Sequence, residues 1–262
     1  MPVRITLGDV EFVDTGDSLG YAAFYSKLRS GAVPSTSTPS PGEYLEAFRR
    51  LDAERVVCLT IPAKWSGMHD AACLASDMLA GEEGRKRVIV VETSSAAVGL
   101  ALIARAAAEL CAQRAPVDDV LDEVRRASAA VRMYGSLANL TYVARSGRVP
   151  ALIAGISNTL HIRPVFRMHG AETGRVALAR TTSGALEALQ RIAGEQLDGV
   201  PQWLLLFHAD APDEAAALQE RLTAVSRVGR SETVALSPIA GAYTGPGAFG
   251  FAALPMREAR AG

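Results

Sequence analysis

Lysine is nearly missing from this chain. The 262 residues include 27 basic ones, of which only Lys27, Lys64 and Lys86 are lysines, and 28 acidic residues bring the net charge to −1. So even a balance gives no basic field, which sets aside nucleic acid and anionic membrane surfaces as partners. Cysteine is as scarce. Cys58, Cys73 and Cys111 stand far apart in apolar contexts without a C-x-x-C pair, so neither a disulfide framework nor a zinc site is expected. The longest greasy run, VGLALIARAAAEL from Val98 to Leu110, is broken by Arg105 and too short for a bilayer. The opening MPVRITLGDVEFVD carries charges where a signal peptide needs its apolar run. A cytoplasmic protein with no integral membrane segment is the expectation. There is no G-x-x-x-x-G-K-[ST] loop and no G-x-S-x-G elbow, which removes the sequence signatures of a P-loop kinase and of a serine hydrolase elbow.

What is present suits a large core: 49% of residues are hydrophobic and 21% charged. Short β-like runs alternate with longer helical ones, the pattern of an α/β fold. The apolar runs 56–61 (VVCLTI), 88–91 and 203–209 (WLLLFHA) read as buried strands. Further strands are expected at 131–136, 163–168, 175–180, 233–237 and 249–253, with a hairpin over 4–13 turning at Gly8-Asp9. Helical periodicity covers 68–79, 96–111, 116–128, 137–145, 151–160, 183–196 and 212–224. Two α/β lobes, residues 1–130 and 131–262, fit this alternation and its resumption at Val131.

Two stretches concentrate hydroxyls. In TSTPSPGEY, Thr36 to Tyr44, Ser40 and Glu43 form a capping box with Pro41 at the first helical position. Tyr44, Leu45, Phe48 and Leu51 follow at one-face spacing. Capping leaves Thr36, Ser37 and Thr38 without a role. The second stretch, PAKWSGMHD, is the turn after VVCLTI and places Ser66-Gly67 at the head of a helix. That is where α/β proteins bind ligands and where a helix N-terminus favours an anion; an ordinary N-cap serine fits the same spacing. His69, three residues on, admits a second reading as the base of a Ser66 hydrolase, although no orienting acid can be assigned. His161, His169 and His208 lie apart, without metal-ligand spacing. Gly245 to Gly250, GPGAFG, matches G-x-G-x-x-G, but only 12 residues follow and they begin as a strand, so no dinucleotide site is expected. Tyr243 and Thr244 beside those glycines fit a tight, close-approach loop. Arg148, in RSGRVP, sits in a glycine turn, where a solvated or helix-capping arginine is the ordinary case.

These features occur in an order that resembles the DegV family. TSTPSPGEY is similar to that family's TSQPSPGEF signature, and IPAKWSGMHDAA to its I-S-S-K-L-S-G-T-Y segment. VARSGRVP with TLHIRPVF resembles its L-K-K-G-G-R-I-S and L-L-N-I-K-P-I-L pair, and AYTGPGAFG its A-H-T-G-P-G loop. The resemblance implies a non-catalytic carrier that holds a long-chain fatty acid, such as palmitate, in a tunnel between two lobes and needs no cofactor. It implies Thr36 and Ser66 at the carboxylate, with Arg148 beside it. Ser37, Gly67, Tyr243 and Thr244 belong to the same ligand-binding motifs, and Trp65 and His69 line the pocket. A separate ATP-dependent fatty acid kinase subunit is the implied partner. Tyr243 stands where the family has His, and Trp65, Met68 and His69 where it has Leu, Thr and Tyr. The family's opening strand ending in Asp-Ser-Thr has no counterpart in these 262 residues. A diverged ligand, another small lipid or carboxylate, is the alternative.

Overall fold

In the computed structural model, which describes residues 1, 3–14, 20–148, 162–197 and 199–257, the alternation of apolar and polar residues fixes the first sheet. Strand β1 (Val3–Leu7) buries Val3, Ile5 and Leu7 and exposes the residues between them. It turns at Gly8, φ +59°, into β2 (Val10–Asp14), which gives the expected hairpin. Its other edge pairs antiparallel with β3 (Pro34–Ser37), so the order is β2-β1-β3. Helix α1 (Tyr21–Arg29) lies between β2 and β3 and buries Phe24, Tyr25 and Leu28. Helix α2 (Pro41–Arg49) has the capping box as read: Glu43 N–H donates to Ser40 Oγ at 3.2 Å, and Ser40 N–H to the Glu43 carboxylate at 2.7 Å. Leu51 departs from the reading. The helix caps at Arg50, so Leu51 falls beyond its last turn and is 46% exposed.

The runs VVCLT and VIVVE form β4 (Val56–Thr60) and β5 (Val88–Glu92), a parallel pair joined by α3 (Met68–Glu83). Helices α2 and α3 cover one face through Tyr44, Phe48, Ala72 and Leu79. Helix α4 (Ala97–Ala112) covers the other, followed antiparallel by α5 (Val117–Ala130).

The second half is dominated by a six-stranded sheet. It comprises β6 (Arg132–Ser136), β7 (Arg163–His169), β8 (Glu172–Ala179), β9 (Gln202–His208), β10 (Val228–Ala235) and β11 (Phe249–Pro255). Their order is β10-β9-β11-β6-β7-β8, parallel only between β10 and β9. Helices α7 (Thr182–Gln196) and α8 (Pro212–Val225) pack on one face with Leu189, Leu218 and Leu222 buried. Two short helices, α6 (Thr141–Ser146) and α9 (Pro238–Thr244), lie near the opposite face. The expected helix over 151–160 lies outside the described residues.

The largest buried cluster joins β1 and α1 to α4 and α5 and to the inner face of the six-stranded sheet, through Ile5, Phe24, Leu102, Val124, Phe207 and Leu254. Apolar contact therefore runs across residue 130. At the centre of the sheet, Gly250 faces Gly135, and a Cβ on Gly250 would lie 2.2 Å from the Tyr134 carbonyl. That close approach accounts for the last glycine of GPGAFG, where no nucleotide is needed.

Candidate functional site

Strand β3 has four residues, and its period of two decides which hydroxyls turn inward. Thr36 is half-buried, while Ser37 is exposed opposite Arg4. The Thr36 Oγ1 lies 2.6 Å from the Tyr243 hydroxyl across the molecule. Tyr243 reaches that place from the last turn of α9, a helix that starts on Pro238. The helix is held close to α1 because Gly241 has no side chain; a Cβ there would meet the Tyr25 hydroxyl at 2.6 Å. Tyr25 braces the same contact by donating to the Leu236 carbonyl at 2.8 Å, and burial pushes its phenol well above the ordinary tyrosine range.

Arg148 completes this side. Helix α6 ends at Gly147 in the left-handed conformation, φ +64°, a cap that glycine adopts freely. Arg148 follows and spreads its guanidinium over the Tyr243 ring, 4.9 Å from the centroid, a cation–π contact. Its Nε donates to the Trp65 carbonyl at 2.9 Å. Among the described residues Arg148 has no acidic partner.

Trp65 leads to the second hydroxyl group. The loop after β4 turns through Trp65 N–H to the Pro62 carbonyl at 2.9 Å, and Ala63 N–H is fixed by Glu92 at 2.8 Å. Ser66 precedes the α3 cap residue Gly67; its Oγ accepts from Met68 N–H at 3.3 Å and stands 3.5 Å from Thr38 Oγ1. Thr36, Thr38, Ser66 and Tyr243 thus form a line of hydroxyls beside one guanidinium, which also reaches the backbone carbonyl of half-buried Trp65.

Four of the candidate residues lie outside this line. Ser37 faces away, Gly67 serves as the cap of α3, and Thr244 donates within its own helix to the Ala240 carbonyl at 3.1 Å. His69 points below the line: Nδ1 is 3.0 Å from Thr60 Oγ1 and Nε2 is 3.5 Å from Cys73 Sγ. Both ring nitrogens are occupied there, and Ser66 has other partners, so the Ser66–His69 nucleophile–base pair is not formed. No group of three or more His, Cys, Asp or Glu able to hold a metal occurs among the described residues. No helix among them is long and apolar enough to cross a membrane.

Sequence reasoning left out Thr38, Thr60 and the Thr93–Ser95 loop at the end of β5. Thr93 Oγ1 donates to the Thr60 carbonyl at 2.8 Å, and Ser95 is 1% exposed at the head of α4. The signal was available in ETSSAA, another run of hydroxyls between a buried strand and a helix.

The geometry can be set beside known proteins. A protein-family model described as "Uncharacterised protein, DegV family" matches residues 1–256. A DegV domain-containing protein of Streptomyces coelicolor is 30% identical over 254 residues, covering 95% of this chain and 88% of its own. A protein named fatty acid-binding protein, from Thermotoga maritima, is 28% identical over 238 residues, 87% of this chain and 80% of its own. A Thermus thermophilus DegV family protein, whose solved structure is described as fatty acid binding, superposes with a TM-score of 0.87 at 27% identity. It covers 97% of this chain and 91% of its own. With a family model matched over nearly its full length, the chain belongs to the DegV family.

Proposed function

We propose that the protein is a non-catalytic carrier of one long-chain fatty acid, with the carboxylate at the line formed by Thr36, Ser66, Tyr243 and Arg148. The observation that carries this reading is the Thr36–Tyr243 contact with Arg148 stacked upon it. It sets two hydroxyls, one donating to the other, beside a cation that has no acidic partner among the described residues. The names of the T. maritima and T. thermophilus relatives supply the ligand class.

Affinity and selectivity then come from different parts of the ligand. Burying a C16 tail contributes about 0.8 kcal/mol per CH₂, on the order of 10 kcal/mol gross. Each charge-assisted hydrogen bond to the carboxylate adds about 1.5–3 kcal/mol. The tail supplies binding energy, while the hydroxyls fix the register of the head group and keep a carboxylate from being buried unpaired. In this reading the chain divides into lobes 1–130 and 131–262, with the acyl chain running inward between them. Trp65 and His69 line the pocket, His69 beneath the hydroxyls. The protein works in the cytoplasm, without a cofactor, and presents the acyl group to a separate ATP-dependent kinase subunit, a partnership that rests on the resemblance alone.

Purified protein, extracted under denaturing conditions and analysed by mass spectrometry, is expected to release a C14–C18 acyl species. Palmitate or oleate is expected to raise the thermal midpoint of delipidated protein. Recovery of no acyl species, together with no shift on adding either acid, would refute the reading.

A further inference from the structure

Strand β10 ends the six-stranded sheet, and among the described residues only β9 pairs with it. In a parallel pair, alternate residues of one strand direct both N–H and C=O to the neighbour. Leu236 N–H donates to the His208 carbonyl at 2.7 Å, so Val234, Glu232 and Arg230, in step with it, face β9. The backbone groups of Ser231 and Thr233 therefore point outward, and every residue from Gly229 to Thr233 is exposed.

Edge strands are ordinarily blunted by charged side chains, lysine above all, by proline or by bulges. Strand β10 has neither lysine nor proline, and its register shift, at Gly229, falls near its start. Its two charges, Arg230 and Glu232, are of opposite sign and flank Ser231 symmetrically. Both lie on the face toward α4. Arg230 stands over the Trp203 ring, 5.1 Å from the centroid, and pairs with Glu109, while Arg105 donates to Glu232 at 3.0 Å. On the other face, Gln219 of α8 holds the Ser231 and Thr233 hydroxyls at 3.3 and 3.2 Å. These side chains are already tied in place, which lowers the ordering cost of any contact made along the edge.

We propose that β10 pairs antiparallel with β10 of a second copy of this chain, about a two-fold axis through Ser231, and joins two six-stranded sheets into one. The segment identifies the occupant because it is complementary to itself. In this register Ser231 lies opposite Ser231, Arg230 opposite Glu232 and Gly229 opposite Thr233. The outward backbone groups of Ser231 meet their own counterparts, the reciprocal exchange of a hydrogen-bonded antiparallel pair. Residues opposite one another share a face, so each Arg230 reaches Glu232 of the second copy on the α4 side. Charges then alternate from Glu109 to Arg230 and on to Glu232 and Arg105 of the second copy. Centred on Thr233 instead, the pairing would set Glu232 against Val234 and Arg230 against Leu236. The charges therefore select the register, while the main-chain bonds supply the attraction.

Sedimentation velocity on the whole chain tests this. The monomer is expected to give way to a dimer at concentrations on the order of 10–100 µM, as fits a small interface. Ser231→Pro removes an outward N–H without touching the β9 ladder, and is expected to leave only monomer with an unchanged far-UV circular dichroism spectrum. Arg230→Glu and Glu232→Arg each set like charges opposite one another, and each is expected to weaken self-association by about tenfold or more. Mixed in equal amounts, the two variants again present opposite charges at both positions, and dimers are expected to return. That recovery also shows that both variants are folded. The proposal is overturned if the unaltered chain stays monomeric at millimolar concentration, if Ser231→Pro dimerises equally well, or if mixing the charge variants restores nothing.

Discussion

Replacing Thr36 with Val and Ser66 with Ala distinguishes recognition of a carboxylate from plain apolar binding. Both changes remove a hydroxyl and nearly preserve shape, and Val suits β3 as well as Thr does. In the free protein the Thr36–Tyr243 contact at 2.6 Å is a neutral, half-buried hydrogen bond. Its loss costs about 1 kcal/mol, well within the ~5–15 kcal/mol of a typical domain. With a carboxylate bound, each hydroxyl makes a charge-assisted bond of about 1.5–3 kcal/mol, so the pair accounts for about 3–6 kcal/mol. Toward the uncharged alcohol of equal length the two bonds are worth about 0.5–1.5 kcal/mol each. The double variant is therefore expected to weaken palmitate by roughly 10²–10⁴-fold and hexadecanol by at least roughly 30-fold less. Displacement of a fluorescent polyene fatty acid, at a pH well above the carboxylate range, measures both ligands on the same protein. Equal losses for the acid and the alcohol would show that Thr36 and Ser66 do not read charge, and the head group would have to be sought elsewhere.

Three further outcomes are expected. Arg148→Lys keeps the charge but loses the planar stack on Tyr243 and the fork that reaches Trp65, so fatty acid affinity is expected to fall about five- to thirtyfold in titration, with little change in thermal midpoint. Ser40→Ala removes the acceptor for Glu43 N–H at the start of α2, which is expected to cost about 1 kcal/mol and about 2–4 °C of midpoint by calorimetry. Burial holds the His208 imidazole below its ordinary range, and its Nδ1 accepts from Ala211 N–H at 3.3 Å. The unfolded chain binds that proton more readily. Stability is thus present above the ordinary histidine range and is lost as pH falls through it toward the folded value, a slope in denaturant midpoints that His208→Gln should flatten.

The alternation that gives the α/β fold was legible because β4, β5 and β9 are short continuous apolar runs and the helices between them carry buried stripes. VVCLT and WLLLFH needed no tertiary information. Helix α1, strand β3 and helix α9 did need it. Helix α1 starts at Gly20 with no side-chain cap. Strand β3 is the polar PSTS, which is extended only because β1 pairs with it. Helix α9 is seven residues long, carries a glycine at Gly241 and stands by packing against α1 and α6. These three are also the elements that bring Thr36 to Tyr243, two residues 207 apart in sequence. Strong local preference built the layers of this protein, while the candidate head-group line sits on segments with weak preferences of their own. A substitution such as Gly241→Ala, far from any ligand atom, should therefore disturb the site by pushing α9 off Tyr25. Loss of acyl binding with the six-stranded sheet intact, read by far-UV circular dichroism, is the expected result; unchanged binding would mean that α9 is not held in place by that contact.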